Sequence, residues 1–225
     1  MQLIVTRPEE DAEALVTKLN RMGHSATSMP LLKIVPRTDV IIPPDSYQLI
    51  CITSANALKN SDVTAQLARL PLLSVGPQSQ EAARSAGFAN ASCHGGDVHG
   101  LVAYMKANID PKAGPILYLS GAETSADLQA LLQSAGFTVR RVITYDAMAQ
   151  QPSGLENALS TADGVLLYSP RTARMWCDLV ARLEKSAANP MYYCLSENVA
   201  KILPQTWKKR VAKSPDETAM IALLD

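Results

Sequence analysis

Small polar residues follow four apolar, strand-like runs of the chain, and this pattern is typical of anion-binding turns. The runs cover residues 49–52, 72–75, 116–119 and 165–168, and a helix-like stretch follows each at once. Backbone N–H groups and the positive end of the helix dipole meet at such junctions. The hydroxyls could equally cap their helices. The candidate binding residues are Thr53, Ser54 and Asn56; Gly76 and Ser79; Ser120 and Gly121; and Ser169, Arg171 and Thr172.

Two arginines and one tyrosine could act beside these turns. Arg7 and Arg171 each lie one residue from a proline just after a strand-like run, which directs them toward the rim of a sheet, although either could be an ordinary surface residue. Tyr145 lies in the extended run 142–148, directly before Asp146. It could take part in catalysis, although a tyrosine in a strand most often packs half-buried against the sheet.

Motifs for cofactors and metals are missing from the sequence. There is no GxGxxG, no phosphate-binding P-loop and no HExxH, and Ser120 has no GxSxG elbow around it. His94 and His99 flank a Gly-Gly turn, which we interpret as a loop and not as a metal site. We therefore expect no cofactor and no metal. The cysteines form no CxxC pair, and we interpret them as reduced and structural: Cys51, Cys93, Cys177 and Cys194.

Composition and charge indicate a folded protein that does not hold nucleic acid by bulk charge. The chain has 225 residues, 47% of them hydrophobic, and its 21 basic residues balance 21 acidic ones. This length fits two compact domains. The N-terminus turns polar too early for a signal peptide and no apolar run could span a membrane, so we expect a cytoplasmic protein. We expect the adjacent Arg140 and Arg141 to be solvated.

Strand-like and helix-like segments alternate along the chain, which predicts an α/β fold with parallel sheets. A shift of 113 residues superposes Gly23 on Gly136 and Leu19 on Leu132, which indicates two related domains or a convergent pattern. The predicted strands and extended runs are 3–5, 25–35, 49–52, 72–75, 116–119, 138–147, 165–168 and 192–195, and the predicted helices include 55–70, 78–86, 101–109, 125–135, 153–162, 172–185 and 217–224.

Taken in order, these segments resemble the uroporphyrinogen-III synthase family. Each motif is short, but the ordered set spans nearly the whole chain. The resemblance is carried by Thr6-Arg7-Pro8 with Leu19 and Gly23; by residues 52–57, 75–79 and 117–121; by Leu131 and Gly136; by Thr144-Tyr145; and by residues 167–173.

The resemblance implies two doubly wound, flavodoxin-like, three-layer domains joined by a two-stranded β-ladder. The first domain would be discontinuous and consist of residues 1–31 and 148–225, and the second would consist of residues 38–142. Residues 31–37 and 142–148 would be the linker strands. The substrate would lie in the cleft between the domains.

The resemblance also implies a cofactor-independent hydro-lyase reaction. The family's substrate is hydroxymethylbilane, a linear tetrapyrrole with eight carboxylates, which is cyclised to uroporphyrinogen III with loss of water and inversion of ring D. The family tyrosine that assists departure of the hydroxyl matches Tyr145. We also expect a monomer with no nucleic-acid or membrane partner, which could receive its substrate transiently from the hydroxymethylbilane-producing enzyme.

Two turns depart from the family pattern. Ser79 stands where the family has a threonine and keeps the hydroxyl. In the matching turn of the other domain the hydroxyl position is Val199, so Ser196 or Asn198 would have to substitute for it.

Two alternatives remain open from the sequence alone. A non-catalytic, two-domain sensor of a small anion would use the same turns. A nucleotide-sugar transferase is disfavoured by the chain length and by the lack of a glycine-rich phosphate loop.

Overall fold

The computed structural model describes residues 1–183 and 189–224, which form two compact units. Unit 1 comprises Met1–Lys33 and the described part of Met148–Asp225, and unit 2 comprises Ile34–Ala147. The strands are β1 (Gln2–Val5), β2 (Ser25–Ser28), β3 (Leu32–Pro36), β4 (Leu49–Ile52), β5 (Leu72–Ser74), β6 (Ala91–Cys93), β7 (Ile116–Gly121), β8 (Val139–Ala149), β9 (Gly164–Leu167), β10 (Met191–Cys194) and β11 (Lys209–Val211).

The helices lie between these strands, as expected for an α/β chain. No helix among the described residues is long and apolar enough to cross a membrane. The helices are α1 (Glu9–Arg21), α2 (Ser61–Leu67), α3 (Pro77–Ser85), α4 (Val98–Asn108), α5 (Leu128–Ser134), α6 (Leu155–Thr161), α7 (Pro170–Ala181), α8 (Glu197–Ala200) and α9 (Glu217–Ile221), with a 3-10 helix at Ala55–Leu58.

The strands of the two units follow the same order. Unit 1 has the order β2-β1-β9-β10-β11 and unit 2 the order β8-β7-β4-β5-β6, and within each set all neighbours are parallel. In unit 1 the strands are numbered in chain order from β1. In unit 2 the numbering starts at β7 and β8 and continues with β4, β5 and β6. With this numbering both orders become 2-1-3-4-5, the flavodoxin-like arrangement. The predicted α/β class is therefore confirmed. That the two units are the functional domains stays a prediction.

Strand β3 lies at the edge of the unit 2 sheet, beside β8. The Arg37 amide donates to the Thr144 carbonyl, and the Gln150 amide donates to the Leu31 carbonyl, both at 2.9 Å. These bonds join residues that run in opposite directions, so β3 and β8 form an antiparallel ladder. Both strands contain the boundary between the units.

Each sheet buries both faces, which explains why its strands are apolar without alternation. In unit 1, Val165 and Leu167 pack with Trp176 of α7, whereas Leu166 packs on the opposite face with α1 and α9. In unit 2, Ile50 and Ile52 face the 3-10 helix, α2 and α3. The opposite face of unit 2 packs against α4 and α5.

Three predicted elements differ from the structure. Residues 55–70 are not one helix, because Asn60 interrupts them and caps α2 through its Oδ1, which accepts hydrogen bonds from the amides of Asp62 and Val63. The run 25–35 is two strands. No helix follows Ser120 and Gly121 at once, because both belong to β7, and α5 begins only at Leu128. The predicted end of the helix 172–185 lies outside the described residues.

Candidate functional site

The doubly wound order gives each sheet one point where its chain connections diverge. In unit 1 the chain leaves β1 and β9 toward opposite edges, and in unit 2 it leaves β7 and β4 in the same way. Ligands of such sheets bind outside the carboxyl ends of the strands at this switch point. Predicted binding residues lie at the carboxyl ends of all four strands: Arg7 after β1, residues 169–172 after β9, residues 53–56 after β4, and residues 120–121 at the end of β7. The turns at 76–79 and 196–198 follow β5 and β10, which lie one strand further in each sheet.

The turn after β4 uses its hydroxyls within unit 2. The Ser54 hydroxyl caps the 3-10 helix by accepting from the Asn56 amide at 3.3 Å. The Thr53 hydroxyl lies 3.4 Å from the Tyr118 hydroxyl. Burial raises the pKa of Tyr118, which keeps its phenol protonated. Thr53, Ser54 and Asn56 are half-buried, so part of each stays accessible to a ligand.

The turns after β5 and β10 have helix N-termini without a side-chain cap. Gly76 precedes α3 with no capping hydrogen bond, and Pro77 occupies the first helical position. Ser196 precedes α8, likewise with no side-chain cap. Ser79 is buried in α3, whereas Asn198 is exposed. The first-turn amides of α3 are therefore candidates for anion contacts, whereas α8 is only four residues long and carries Glu197 in its first turn.

The turn after β9 is closed by its own side chains. Ser169 and Thr172 form a capping box, in which the Ser169 hydroxyl accepts from the Thr172 amide and the Thr172 hydroxyl accepts from the Ser169 amide. Thr172 is only 4% exposed. Its hydroxyl is therefore structural. Arg171 lies in the first turn of α7 and is half-buried.

Arg7 is engaged with acidic and aromatic side chains of unit 1. Its guanidinium lies 3.0 Å from a Glu217 carboxylate oxygen and 3.7 Å from one of Asp11. It also lies 4.9 Å from the centre of the Tyr168 ring, and burial raises the pKa of that phenol. With two carboxylates beside it, Arg7 offers less attraction to an anion than its sequence position indicates.

Ser120 and Gly121 are not an open turn. Ser120 is 2% exposed, and its hydroxyl donates to the Gly121 carbonyl and accepts from Arg141 Nε at 2.8 Å. Arg141 Nη2 also donates to the carbonyls of Gly121 and Ala122. The prediction that Arg141 is solvated is wrong, because it is half-buried and bonded to the end of β7.

Tyr145 follows a β-bulge in β8. Ser120 pairs with Ile143 but Gly121 pairs with Tyr145, so Thr144 is the extra residue. The Thr144 hydroxyl donates to the Ala57 carbonyl at 3.0 Å. A bulge re-aims the residues around it, and here Tyr145 packs in the same core as Val142, although alternation would place them on opposite faces.

Gly121 makes room for the Tyr145 ring. A Cβ at Gly121 would lie 2.6 Å from Cζ and 2.9 Å from the hydroxyl oxygen of Tyr145. The ring is 9% exposed and belongs to the unit 2 core. The predicted catalytic phenol therefore lies against the carboxyl end of β7, at the switch point of unit 2.

Arg141 and Tyr118 are the polar residues at this switch point that sequence reasoning missed. A usable signal was present, because Arg140 and Arg141 are adjacent in a strand and must face opposite sides of the sheet. In a parallel sheet covered on both faces, the inward arginine needs hydrogen-bond acceptors. Within the described residues, no group of three His, Cys, Asp or Glu side chains could hold a metal ion.

The family comparison and the comparison with solved structures point to the same family. A family model described as uroporphyrinogen-III synthase HemD matches residues 13–222. The crystal structure of uroporphyrinogen-III synthetase from Helicobacter pylori 26695 has a TM-score of 0.68 at 17% identity, covering 100% of this chain and 98% of that one. A mutant uroporphyrinogen III synthase from the extremely thermophilic bacterium Thermus thermophilus has a TM-score of 0.53 at 13% identity, covering 99% and 89%. The comparison with curated proteins found no match.

Proposed function

Because the chain belongs to the uroporphyrinogen-III synthase family, we propose that it cyclises hydroxymethylbilane to uroporphyrinogen III with loss of water and inversion of ring D. The observation that carries the proposal is the family match over residues 13–222. The family acts in porphyrin and heme biosynthesis on a tetrapyrrole substrate. The position of Tyr145 against the carboxyl end of β7 supports a specific role for one side chain.

In the proposed reaction Tyr145 assists the departure of the ring A hydroxyl. The phenol can donate its proton to the leaving oxygen as the C–O bond breaks. Water, the tyrosinate and the azafulvenium cation of ring A result. Ring D then attacks through its substituted α-carbon, and the spiro intermediate opens and closes again with ring D inverted. The proton released on the final closure restores the phenol, so no cofactor is consumed.

The protein's main task in this scheme is to hold a flexible polyanion in one curled geometry. The uncapped N-terminus of α3 suits a substrate carboxylate, because its first-turn amides meet the positive end of the helix dipole there. We further propose that the protein works as a monomer and as a hydro-lyase without a cofactor, and that it receives hydroxymethylbilane from the enzyme that makes it. An anion sensor would bind through the same turns but would not turn over.

Isomer analysis after mixing the protein with hydroxymethylbilane tests the activity. We expect uroporphyrinogen III, whereas a product in which ring D is not inverted, at the uncatalysed rate, would refute the proposal and favour the sensor. Tyr145→Phe should lower kcat roughly 10–100-fold with little change in KM. The matched control is Tyr47→Phe. The Tyr47 hydroxyl donates to the Pro43 carbonyl, and both residues precede β4, so this hydroxyl lies away from the carboxyl ends of the strands. An unchanged kcat in folded Tyr145→Phe would assign Tyr145 to packing.

A further inference from the structure

Arg141 has hydrogen-bond partners but no counter-charge. Its three bonded acceptors are the Ser120 hydroxyl at 2.8 Å and the carbonyls of Gly121 and Ala122 at 2.8 and 3.0 Å, all of them neutral. Within the described part of the chain, no carboxylate lies within 4.0 Å of its guanidinium, and Nη1 has no acceptor. The side chain therefore carries a half-buried positive charge with two unused N–H donors.

Other arginines of the chain show how differently Arg141 is placed. Arg37 donates to both carboxylate oxygens of Asp146, and Arg140, the immediate neighbour, lies 3.7 Å from Asp45. A guanidinium stays charged at all relevant pH values, and a partly desolvated charge without a partner is costly. A bound carboxylate at Nη1 would supply the missing charge and form strong, charge-assisted hydrogen bonds.

The three neutral acceptors also fix where this charge lies. They belong to the last two residues of β7 and to the residue after it, so the guanidinium is held at the switch point of unit 2. The Tyr118 ring lies 6.0 Å away, and its hydroxyl approaches Thr53 of the turn after β4. Gly121, whose carbonyl Arg141 holds, is the residue against which Tyr145 packs.

We propose that Arg141 binds one carboxylate of the linear tetrapyrrole through Nη1 and so sets the position of the chain relative to Tyr145. This inference rests on the proposed function. It adds a side-chain carboxylate site to the backbone amides of the turns. Because Arg141 would bind the same carboxylate in the ground state and in the transition state, its contribution should appear mainly in KM.

Steady-state kinetics of Arg141→Gln and Arg141→Lys, at several salt concentrations, test the inference. Arg141→Gln should raise KM roughly 10–100-fold and flatten the dependence of KM on salt, because one ionic contact is lost. Arg141→Lys keeps the charge but loses the fork, so KM should rise about 3–10-fold with the wild-type salt dependence. Arg140→Gln is the matched control, because Arg140 is exposed and paired with Asp45, and its KM should stay within about twofold of wild type.

Each outcome decides between binding and a purely structural role. A structural role predicts a lower Tm and a lower kcat for Arg141→Gln, with the wild-type salt dependence of KM, and that result would overturn the inference. If circular dichroism shows that Arg141→Gln does not fold, Arg141→Lys decides, and a KM within about twofold of wild type would overturn the inference. If the wild-type protein itself forms no uroporphyrinogen III, the proposed function fails, independently of Arg141.

Discussion

Gly121 offers a way to move the Tyr145 hydroxyl without removing it. In Gly121→Ala the new Cβ would lie 2.6 Å from Tyr145 Cζ, whereas ordinary contact begins at 3.4 Å. The ring must therefore retreat by about 0.8 Å, since the clashing atoms belong to a packed aromatic ring and not to a flexible chain end. Gly121 itself lies in β7, with its carbonyl bonded to Arg141, so the strand is not expected to move instead.

This displacement sets the expected magnitude. Overpacking of this kind costs roughly 1–3 kcal/mol of stability, and a misplacement of about 1 Å can lower a rate as much as 100-fold. We expect Gly121→Ala to fold, with a free energy of unfolding in urea that is roughly 1–3 kcal/mol lower than that of wild type. Its kcat should fall roughly 10–100-fold. The assay is the rate of uroporphyrinogen III formation per folded molecule, with the folded fraction taken from circular dichroism.

Gly164 provides a matched control in unit 1. A Cβ at Gly164 of β9 would lie 2.5 Å from Cε2 of Tyr193, which is a comparable clash with a tyrosine ring. Gly164→Ala should therefore destabilise the protein by a similar amount, while kcat per folded molecule stays within about twofold of wild type. A large loss of kcat in both variants would show that general destabilisation, and not the position of Tyr145, lowers the rate.

A double-mutant cycle with Tyr145→Phe tests whether Gly121 acts through the Tyr145 hydroxyl. If Gly121 acts through the hydroxyl, Gly121→Ala should change kcat less than about threefold once that hydroxyl is absent. Independent, multiplicative losses in the double variant would refute the reasoning, since they would show that Gly121 affects catalysis by another route.

Two further predictions concern stability and thiol reactivity. Hydrogen bonds from Arg37 hold the pKa of Asp146 below its ordinary value, so the pair stabilises the fold above the unfolded pKa of about 3.9 and loses this effect as the pH falls through the folded value. Asp146→Asn should thus be less stable than wild type in urea at pH 7, with a smaller difference at pH 3; an equal difference at both would contradict the assignment. Burial raises the pKa of Cys51 to about 12 and that of Cys194 to about 11, so we expect DTNB at pH 8 to titrate at most the half-buried Cys93 and Cys177 in the native protein, and all four thiols in urea. Four rapidly reacting native thiols would show that the buried pair is accessible.

Local sequence signals predicted the elements that depend on local chemistry. Gly76 with Pro77 predicts the start of α3, and Ser169 with Thr172 predicts the start of α7, because caps and first-turn residues act within a few positions. The break at Asn60 was equally readable, since Asn60-Ser61-Asp62 is a typical helix start, but the apolar pattern on either side favoured one long helix.

Long-range contacts decided the features that the sequence did not reveal. Ser120 and Gly121 belong to the strand and not to a turn because they pair with Ile143 and Tyr145 of β8, which lies far along the chain. The bulge at Thr144 depends on acceptors and donors of other segments, namely the Ala57 carbonyl and the Arg37 amide. Simple alternation along β8 would place Tyr145 on the same face of the sheet as Arg141. The bulge, which is visible only in the pairing with β7, instead places Tyr145 on the face of Val142.

The order of the strands also has a consequence for how this protein folds during translation. Strand β1 lies inside the unit 1 sheet, between β2 and β9, yet β9 begins at Gly164, after all of unit 2 has been made. Closing so long a loop adds little to the equilibrium cost of folding, but contacts this distant in sequence form slowly. We therefore expect the contiguous unit 2 to fold first during translation. Until the C-terminal third of the chain is made, the apolar surface of β1 and α1 would stay exposed. A chaperone would therefore matter most during this interval.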